Sequence, residues 1–425
     1  MKKVAFVFIK TCILLTILLL VSCTNVTGAD DNSFSSRSVT DAGISPGGPP
    51  RLLWNKTYEE VEGGGWMVGQ SLVQVADGGY ALVGSYPHAC LIRTDSSGNM
   101  MWNRTYDGSV CSLACTKDGG FALAGYDYND VLLLKTNSNG DMIWNKTYGG
   151  TEEDEAYAVI QTTDGGFALA GCTYSFGTPG ADAYLIKTDA DGNLLWNRTY
   201  QGGINSGFRR AYSLVQTADG GFALATSVPS YSHAQGCLIR TDSEGIKLWS
   251  RNCFWNPLEG CEVYSIIIAN DGGYALIGCT TCNSGTDSMM CIFKIDDLGN
   301  NQWVELLDTE GYLAAGRSLI QTEYGYMVVG DAETGSGRVA CLVGTSGTGV
   351  KGWEFSYDKT ARYGYCLIHA DDGGYTMLGT AQNGELYLAK SSYSDVPQFS
   401  FTSLMLIMVF ASLLLVVYRS RRKHR

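Results

Sequence analysis

The chain has 425 residues, of which 45% are hydrophobic and 17% are charged, and this composition excludes an intrinsically disordered protein. Removing the three lysines of the first 23 residues and the five basic residues from Phe399 onward leaves 22 basic and 42 acidic residues, a net charge of −20. A surface of that charge repels nucleic acid and anionic lipid, so we expect no nucleic-acid binding and instead cations or basic proteins as partners.

Residues 1–23 have the layout of a secretory signal. Two lysines precede an apolar run from Val4 to Val21, and the sequence LVSC follows, ending at Cys23. That tetrapeptide resembles the bacterial lipobox, which implies lipidation of Cys23, whereas an ordinary signal peptide or an uncut anchor is the alternative. Residues 24–50 are rich in Ser, Thr, Gly and Pro, which predicts a flexible linker.

An internal repeat occupies residues 51–391. Short apolar runs rich in β-branched and aromatic residues precede and follow each copy of its central motif, and a tryptophan-containing run closes the unit. Runs of this kind, bounded by Gly, Asp or Asn, are typical of strands joined by hairpins. The central motif is DGGY or DGGF at Asp77, Asp118, Asp164, Asp219, Asp271 and Asp372, with a degenerate EYGY at Glu323.

The first tryptophan run has no repeat in front of it. Trp54 lies in LLWNKTY, ahead of the first DGG motif, while the last repeat ends near Ser391 after its third run. Four antiparallel strands at a period of about 40 to 55 residues are the signature of a β-propeller. We therefore predict an all-β, seven-bladed propeller of four-stranded blades, closed by the N-terminal strand. An open solenoid is the alternative, but it gives no reason for the displaced strand.

The C-terminal segment is predicted to anchor the protein. Residues 392–398 form a short stalk, and residues 399–418 are uncharged over about the length of a membrane-spanning helix. The basic tail, residues 419–425, is expected in the cytoplasm, which leaves the propeller outside the cell membrane. The segment resembles the sorting tails of prokaryotic surface proteins. Gln398 stands where the archaeal version of that tail has Glu, so a retained anchor is expected.

The repeat unit resembles one from known surface proteins. QTTDGGFALAGCTYSFGTPGADAYLIKTDADGNLLWNRTY, Gln161–Tyr200, is similar to a DGGY/F-type repeat of secreted and surface-anchored proteins of bacteria and archaea. A looser resemblance to quinoprotein propellers, whose blades end in a turn glycine and a docking tryptophan, implies a quinone-dependent dehydrogenase. Cofactor-binding members carry a vicinal cysteine pair, and no two of the fourteen cysteines here are adjacent, so no cofactor is predicted.

Several tryptophan runs contain Asn-x-Thr. Strand alternation puts Trp54 and Tyr58 on one face and Asn55 and Thr57 on the other, where Asn55 can reach solvent. The alternative is that threonine is simply a good strand residue. The candidate glycan acceptors are Asn25, Asn55, Asn103, Asn145 and Asn197.

A cysteine pair and a set of polar residues are further candidate sites. Cys253 and Cys261 bracket the loop CFWNPLEGC, and this spacing predicts a disulfide in an extracellular protein. A polar ring is predicted near one end of the central channel, where it either binds a ligand or satisfies backbone groups. Its members are Gln74, Gln161, Gln216, Gln321 and His369.

The sequence carries no motif of nucleophilic, zinc or nucleotide chemistry, so no catalytic residue and no metal ligand is predicted. The acidic loop TEEDE, Thr151–Glu155, is either solvated or a cation or sugar site. The expected function is a monomeric, non-enzymatic surface module that binds a protein or glycan ligand or acts as a scaffold. A glycosidase-like enzyme is the alternative, and it would need carboxylates that converge at the channel mouth.

Overall fold

The computed structural model describes residues 48–59, 68–85, 88–201, 209–228, 235–253, 260–281, 288–309, 312–357 and 360–392. The chain divides into two units, residues 1–43 and 44–425, and every described residue belongs to the second. The predicted signal, most of the linker, the stalk after Ser392 and the segment 399–418 lie outside these ranges. Among the residues described, no helix has the length and apolar character needed to span a membrane.

Within these ranges the backbone forms twenty-eight strands. They are β1 Arg51–Tyr58, β2 Val68–Gln74, β3 Tyr80–Ser85, β4 Ala89–Thr94, β5 Met100–Tyr106, β6 Ser109–Cys115, β7 Phe121–Asp127, β8 Asp130–Thr136, β9 Met142–Tyr148, β10 Asp154–Gln161, β11 Phe167–Thr173, β12 Asp182–Thr188, β13 Leu194–Tyr200, β14 Arg210–Gln216, β15 Phe222–Val228, β16 Gln235–Thr241, β17 Lys247–Cys253, β18 Gly260–Ile268, β19 Tyr274–Thr281, β20 Met290–Ile295, β21 Asn301–Leu307, β22 Tyr312–Gln321, β23 Tyr326–Thr334, β24 Gly337–Thr345, β25 Lys351–Ser356, β26 Ala361–His369, β27 Tyr375–Ala381 and β28 Leu386–Ser392.

The strands form antiparallel meanders of four. β2–β5, β6–β9, β10–β13 and β22–β25 are separate sheets. β14–β17 and β18–β21 are two meanders that a single parallel bridge, Gln235 to Cys261, joins into one sheet of eight strands. The last sheet has the order β1-β28-β27-β26, and β1 pairs with β28 from Arg51 opposite Ser392 to Tyr58 opposite Leu386. The predicted pairing of the N-terminal strand with the last sheet is therefore confirmed.

The first strands of these meanders form a closed circle of contacts. β2 contacts β6, β6 contacts β10, β10 contacts β14, β14 contacts β18, β18 contacts β22, β22 contacts β26, and β26 returns to β2. One buried cluster combines Tyr80 and Leu82 of the first meander with Leu378 and Leu388 of the last. The first strands therefore surround a central axis, and the two ends of the domain share one core.

The middle strands of each sheet are the most buried. All seven residues of β11 and all seven of β12 are buried, because neighbouring sheets cover both of their faces. The outermost strand β1 instead alternates between exposed and half-buried residues until it reaches the buried Tyr58. Burial thus falls from the middle of each sheet towards its rim.

Tryptophan and tyrosine of the outermost strands join adjacent sheets. The Trp54 ring meets Tyr80 of the next sheet edge-on, 6.1 Å between centroids, and the Tyr58 hydroxyl donates to the Gly98 carbonyl at 2.8 Å. Gly98 has a φ of 75°, and a Cβ there would lie 2.6 Å from the Trp54 ring, so the turn requires glycine. The same edge-on contact recurs at Trp102–Phe121, Trp144–Phe167, Trp196–Phe222, Trp249–Tyr274 and Trp303–Tyr326.

Each DGG turn is tied to the third strand of its sheet by an ion pair. The basic side chains are only 3–8% exposed and the aspartates 54–62% exposed, at 2.5–2.9 Å. The EYGY copy has lost both partners, because Gly344 occupies the basic position and the Trp353 ring fills its space. The pairs are Asp77–Arg93, Asp118–Lys135, Asp164–Lys187, Asp219–Arg240, Asp271–Lys294 and Asp372–Lys390.

Candidate functional site at the channel mouth

The first strand of every meander carries a register shift at the same place. In β10 the shift falls between Ala156 and Ala158, and in β14 between Ala211 and Ser213, so one residue bulges out of each ladder. A β-bulge re-aims the side chain of the extra residue. Because these strands surround the axis, the bulged residues line one end of the channel, which we call the mouth. They are Gln70, Cys111, Tyr157, Tyr212, Tyr264, Arg317 and Tyr365.

Five consecutive bulge residues form a continuous stack, which we call the tyrosine–arginine arc: Tyr157, Tyr212, Tyr264, Arg317 and Tyr365. The ring centroids of Tyr157 and Tyr212 are 5.2 Å apart, and those of Tyr212 and Tyr264 are 5.5 Å apart. The Arg317 guanidinium lies 5.3 Å from the Tyr264 ring and 5.9 Å from the Tyr365 ring. All five side chains are half-buried, so the stack keeps exposed surface that a ligand can cover.

Carboxylates beside the arc accept hydrogen bonds from its tyrosines. The Tyr157 hydroxyl donates to Glu155, and the Tyr264 hydroxyl donates to Glu262. Each hydroxyl also lies 3.7 Å from a cysteine sulfur of the second strand, Cys172 or Cys279. Burial is the main reason that the pKa of these two tyrosines lies far above the ordinary value, and the nearby Cys172 or Cys279 sulfur raises it further. The arc therefore presents neutral phenols at every physiological pH.

A buried carboxylate orients the arginine of the arc. Asp331 is 0% exposed and lies 3.3 Å from Arg317 Nε and 3.1 Å from Arg338 Nη1. Burial raises the pKa of Asp331, and the two guanidinium groups oppose that rise. Arg338 in turn lies 5.8 Å from the ring of Tyr363, which stacks on Tyr365 at 5.8 Å. The positive end of the arc is thus held in place by a charge network rather than left free in solvent.

The predicted polar ring lies at the other end of the first strands, at the DGG turns, which we call the turn face. The Gln161 amide donates to the Gly165 carbonyl of its own turn at 3.1 Å and accepts from the Lys117 backbone N–H of the preceding turn at 2.8 Å. Gln74, Gln216 and Gln321 accept in the same way from Asp371, Thr163 and Asn270.

These glutamines therefore link consecutive turns, and the Gln74 contact with Asp371 joins the first meander to the last. His369 is exposed, and its ring lies 5.4 Å from Tyr375. The structure thus brings the predicted polar ring to the turn face and not to the arc. Ligand binding by these residues stays a prediction.

Four of the five candidate glycan acceptors lie within the described residues. Asn55 and Asn145 are exposed on outermost strands, whereas Asn103 and Asn197 are half-buried there. Glycosylation of these four stays a prediction, and Asn25 and Cys23 lie outside the described residues.

Cys253 is the last residue of β17 and Cys261 the second residue of β18, and both lie next to Gly236. Both are buried free thiols, and the Cys261 thiol donates to the Cys253 carbonyl. The expected disulfide is therefore not formed in the structure. The disulfide stays a prediction for the oxidised protein.

Sequence reasoning missed the tyrosine–arginine arc. Tyrosine precedes the apolar run of the first strand at Tyr157, Tyr212 and Tyr264, and this recurrence was a usable signal. Among the described residues, no group of three or more His, Cys, Asp or Glu side chains has the geometry of a metal site.

No protein family matches the sequence, and no curated protein is similar to it at a significant level. Among solved structures, the chain is similar to the WD40 β-propeller domain of Doa1, with a TM-score of 0.53 and 13% identity over 81% of this chain and 97% of that one. The fold is a β-propeller of four-stranded blades. A protein of unknown function from Bacteroides caccae also matches, with a TM-score of 0.42 and 13% identity over 71% of this chain and 98% of that one. At such identity the propeller likeness speaks for the fold alone.

Proposed function

We propose that the protein is a surface-anchored, extracytoplasmic, seven-bladed propeller that binds a protein or glycan ligand at the channel mouth without catalysing a reaction. The observation that carries this proposal is the arc, which runs unbroken over five consecutive first strands. Tyrosine and arginine dominate the binding energy of protein interfaces, because they combine a large contact area with hydrogen bonding. This composition favours a protein ligand over a glycan, and a propeller fold is suited to a protein-interaction or scaffold role.

The bulge itself forms without an aromatic side chain in two blades. Gln70 and Cys111 occupy the same bulge in the two blades that complete the circle, and their strands keep the same register shift. A position that accepts glutamine and cysteine does not need an aromatic ring for packing. Five consecutive large side chains at that position therefore call for another explanation, and ligand binding supplies it.

The proposed anchor is compatible with an accessible mouth. β28 ends at Ser392 beside Arg51, on the turn face. A stalk of residues 392–398 spans at most about 25 Å when fully extended. If residues 399–418 cross the cell membrane, the turn face is held near the bilayer, and the mouth, at the opposite end of the first strands, points away from it.

The test is to probe glycan and protein arrays with the full-length protein in nanodiscs. Tyr212→Ala removes the ring between Tyr157 and Tyr264 in the stack. It should weaken ligand capture at least about tenfold, which corresponds to the loss of one hot-spot side chain. Leu195→Ser is the matched control, because Leu195 is 56% exposed on an outermost strand far from the mouth. Equal capture by Tyr212→Ala and the wild type would overturn the proposal, and silence of the wild type on both arrays would favour a scaffold.

A carbohydrate-active enzyme is the second candidate. Glu155 and Glu262 place two carboxylates at the mouth, on strands separated by the one that carries Tyr212. Glycosidases use paired carboxylates that lie about 5 to 10 Å apart. Release of a chromogenic aglycone that is abolished by both Glu155→Gln and Glu262→Gln would favour the enzyme over the binding module.

A further inference from the structure

A second polar cluster lies at the mouth end of the blades, between the blade of β6–β9 and that of β10–β13. It consists of Asp130, the first residue of β8, Asp154, the first residue of β10, and Tyr184 of β12. Asp154 belongs to the acidic loop Thr151–Glu155, and its backbone N–H donates to the Asn129 carbonyl at 2.6 Å. The two blades thus contribute one carboxylate each to the same place.

Gly149 shows how close the two carboxylates are. A Cβ built on Gly149 would lie 2.1 Å from Asp130 Oδ1 and 2.6 Å from Asp154 Oδ2, so these two oxygens are at most 4.7 Å apart. Any larger residue at position 149 would displace them. Glycine therefore leaves room for two carboxylates that face each other across the blade interface.

Among the described residues, no basic side chain neutralises this pair, since neither Asp130 nor Asp154 takes part in an ion pair there. Asp154 is 0% exposed. Its Oδ2 accepts from the Gly150 N–H at 2.9 Å and the Ser175 hydroxyl at 2.7 Å, but its Oδ1 is buried without a hydrogen-bond partner. A buried carboxylate is expensive unless it is paired or binds a metal ion. Asp331, which is equally buried, is instead paired with two arginines.

The Tyr184 hydroxyl is also buried, with the Asn197 side chain as a poorly aligned hydrogen-bond neighbour. Burial raises the pKa of Tyr184, Asp154 and Asp130 raise it further, and hydrogen bonding to Asn197 lowers it. The hydroxyl therefore lies within electrostatic reach of both carboxylates. Tyr184 and Gly149 also border an open cavity of about 360 Å³ on the rim side, which gives solvent a route to the cluster.

We propose that Asp130 and Asp154 bind a divalent cation of the Ca²⁺ class between the two blades. Ca²⁺ takes six to eight oxygen ligands at about 2.3–2.6 Å, so a single ion can bridge Asp130 Oδ1 and Asp154 Oδ2, which are at most 4.7 Å apart. The other oxygen of this carboxylate, the unpartnered Asp154 Oδ1, is available to the same ion, because Ca²⁺ also binds carboxylates through both oxygens. Water completes the coordination from the cavity, and the ion ties the acidic loop to the edge of β8. The site is independent of ligand binding by the arc.

The experiment is calorimetric titration of the EDTA-treated, full-length protein in nanodiscs with CaCl₂ and, separately, MgCl₂. The wild type should bind one Ca²⁺, and Asp154→Asn and Asp130→Asn should each weaken the affinity at least tenfold. Asp182→Asn is the matched control: Asp182 is 2% exposed in the same blade, but its carboxylate already accepts from the Thr178 backbone N–H at 2.8 Å. This control should bind Ca²⁺ as tightly as the wild type.

Two results would overturn the site. One is a wild type that binds neither cation. The other is an unchanged Ca²⁺ affinity in both Asp130→Asn and Gly149→Ala. The Gly149→Ala variant places a methyl group in the space that the two carboxylates occupy. If Asp154→Asn does not fold, Asp130→Asn decides the question, because Asp130 is only half-buried. Ca²⁺-dependent elevation of the unfolding temperature in the wild type but not in Asp130→Asn gives an independent readout.

Discussion

Replacing Trp54 with alanine should lower the free energy of unfolding by about 3 kcal/mol, the low end for a large aromatic side chain, because the ring is only half-buried. Trp54 belongs to the strand that joins the end of the domain to its beginning. Its ring meets Tyr80 at 6.1 Å and rests on the Gly98 turn, and both of these belong to the first blade. The loss in the free energy of unfolding therefore measures how much the contact between the last and the first blade stabilises the fold.

The assay is urea unfolding followed by circular dichroism, with Trp196→Ala as the matched variant. Trp196 makes the same contact inside the circle, 6.0 Å from Phe222, and rests on Gly245 in the same way. A closed ring predicts comparable losses for both variants. Tyr58→Phe, which removes only the hydroxyl bonded to Gly98, should cost about 1 kcal/mol. If Trp54→Ala is neutral while Trp196→Ala is destabilising, the closure by β1 is wrong.

Three further outcomes are expected. Hydrogen bonds from Thr217 and Arg240 lower the pKa of Asp219 from 3.8 to about 2. The Asp219 carboxylate therefore stabilises the fold above pH ~4, and this contribution is lost as the pH falls towards 2. A urea midpoint that does not change with pH over that window would contradict this prediction. Asp164→Ala should lower the free energy of unfolding by about 1.5 kcal/mol, because it leaves the buried Lys187 ammonium without its ion-pair partner. This value is discounted for solvent screening, since Asp164 is 59% exposed. Adding Lys187→Met should recover most of the loss in the same assay. Tyr212→Gln should stay within about 1 kcal/mol of the wild type, since Gln70 fills the same bulge, and a larger loss would make the arc a structural element.

The fold could be predicted from the sequence because its determinants repeat. The DGG turn, the buried basic residue and the tryptophan each recur with the same partners, and the partner of Trp54 lies one repeat further along, as the partners of Trp102 and Trp144 do. The displaced LLWNKTY run then had one place left to pair, and β28 occupies it.

The site could not be predicted in the same way. A bulge residue such as Tyr157 reads as an ordinary strand residue, because the register shift that turns it towards the axis depends on the pairing with β11. The glutamines are the opposite case. Their position in the strand was clear, but the N–H that occupies the Gln161 amide comes from Lys117, one repeat away, and only the assembled ring brings it there.

Contacts between blades account for some residues of this molecule and leave others without a structural explanation. Where a residue recurs, as Trp54 or Gln161 does, the structure gives it a partner in the next or preceding blade, and closing the ring is a sufficient reason for its presence. Closure of the ring does not account in this way for Tyr212 or Asp154. Tyr212 stands where another blade has Cys111, and Asp154 is buried with an oxygen that no protein group uses. Both lie at the mouth end, while the ion pairs of the DGG turns and the glutamines lie at the turn face, so the residues that tie the blades together and the proposed binding residues occupy opposite ends of the same strands.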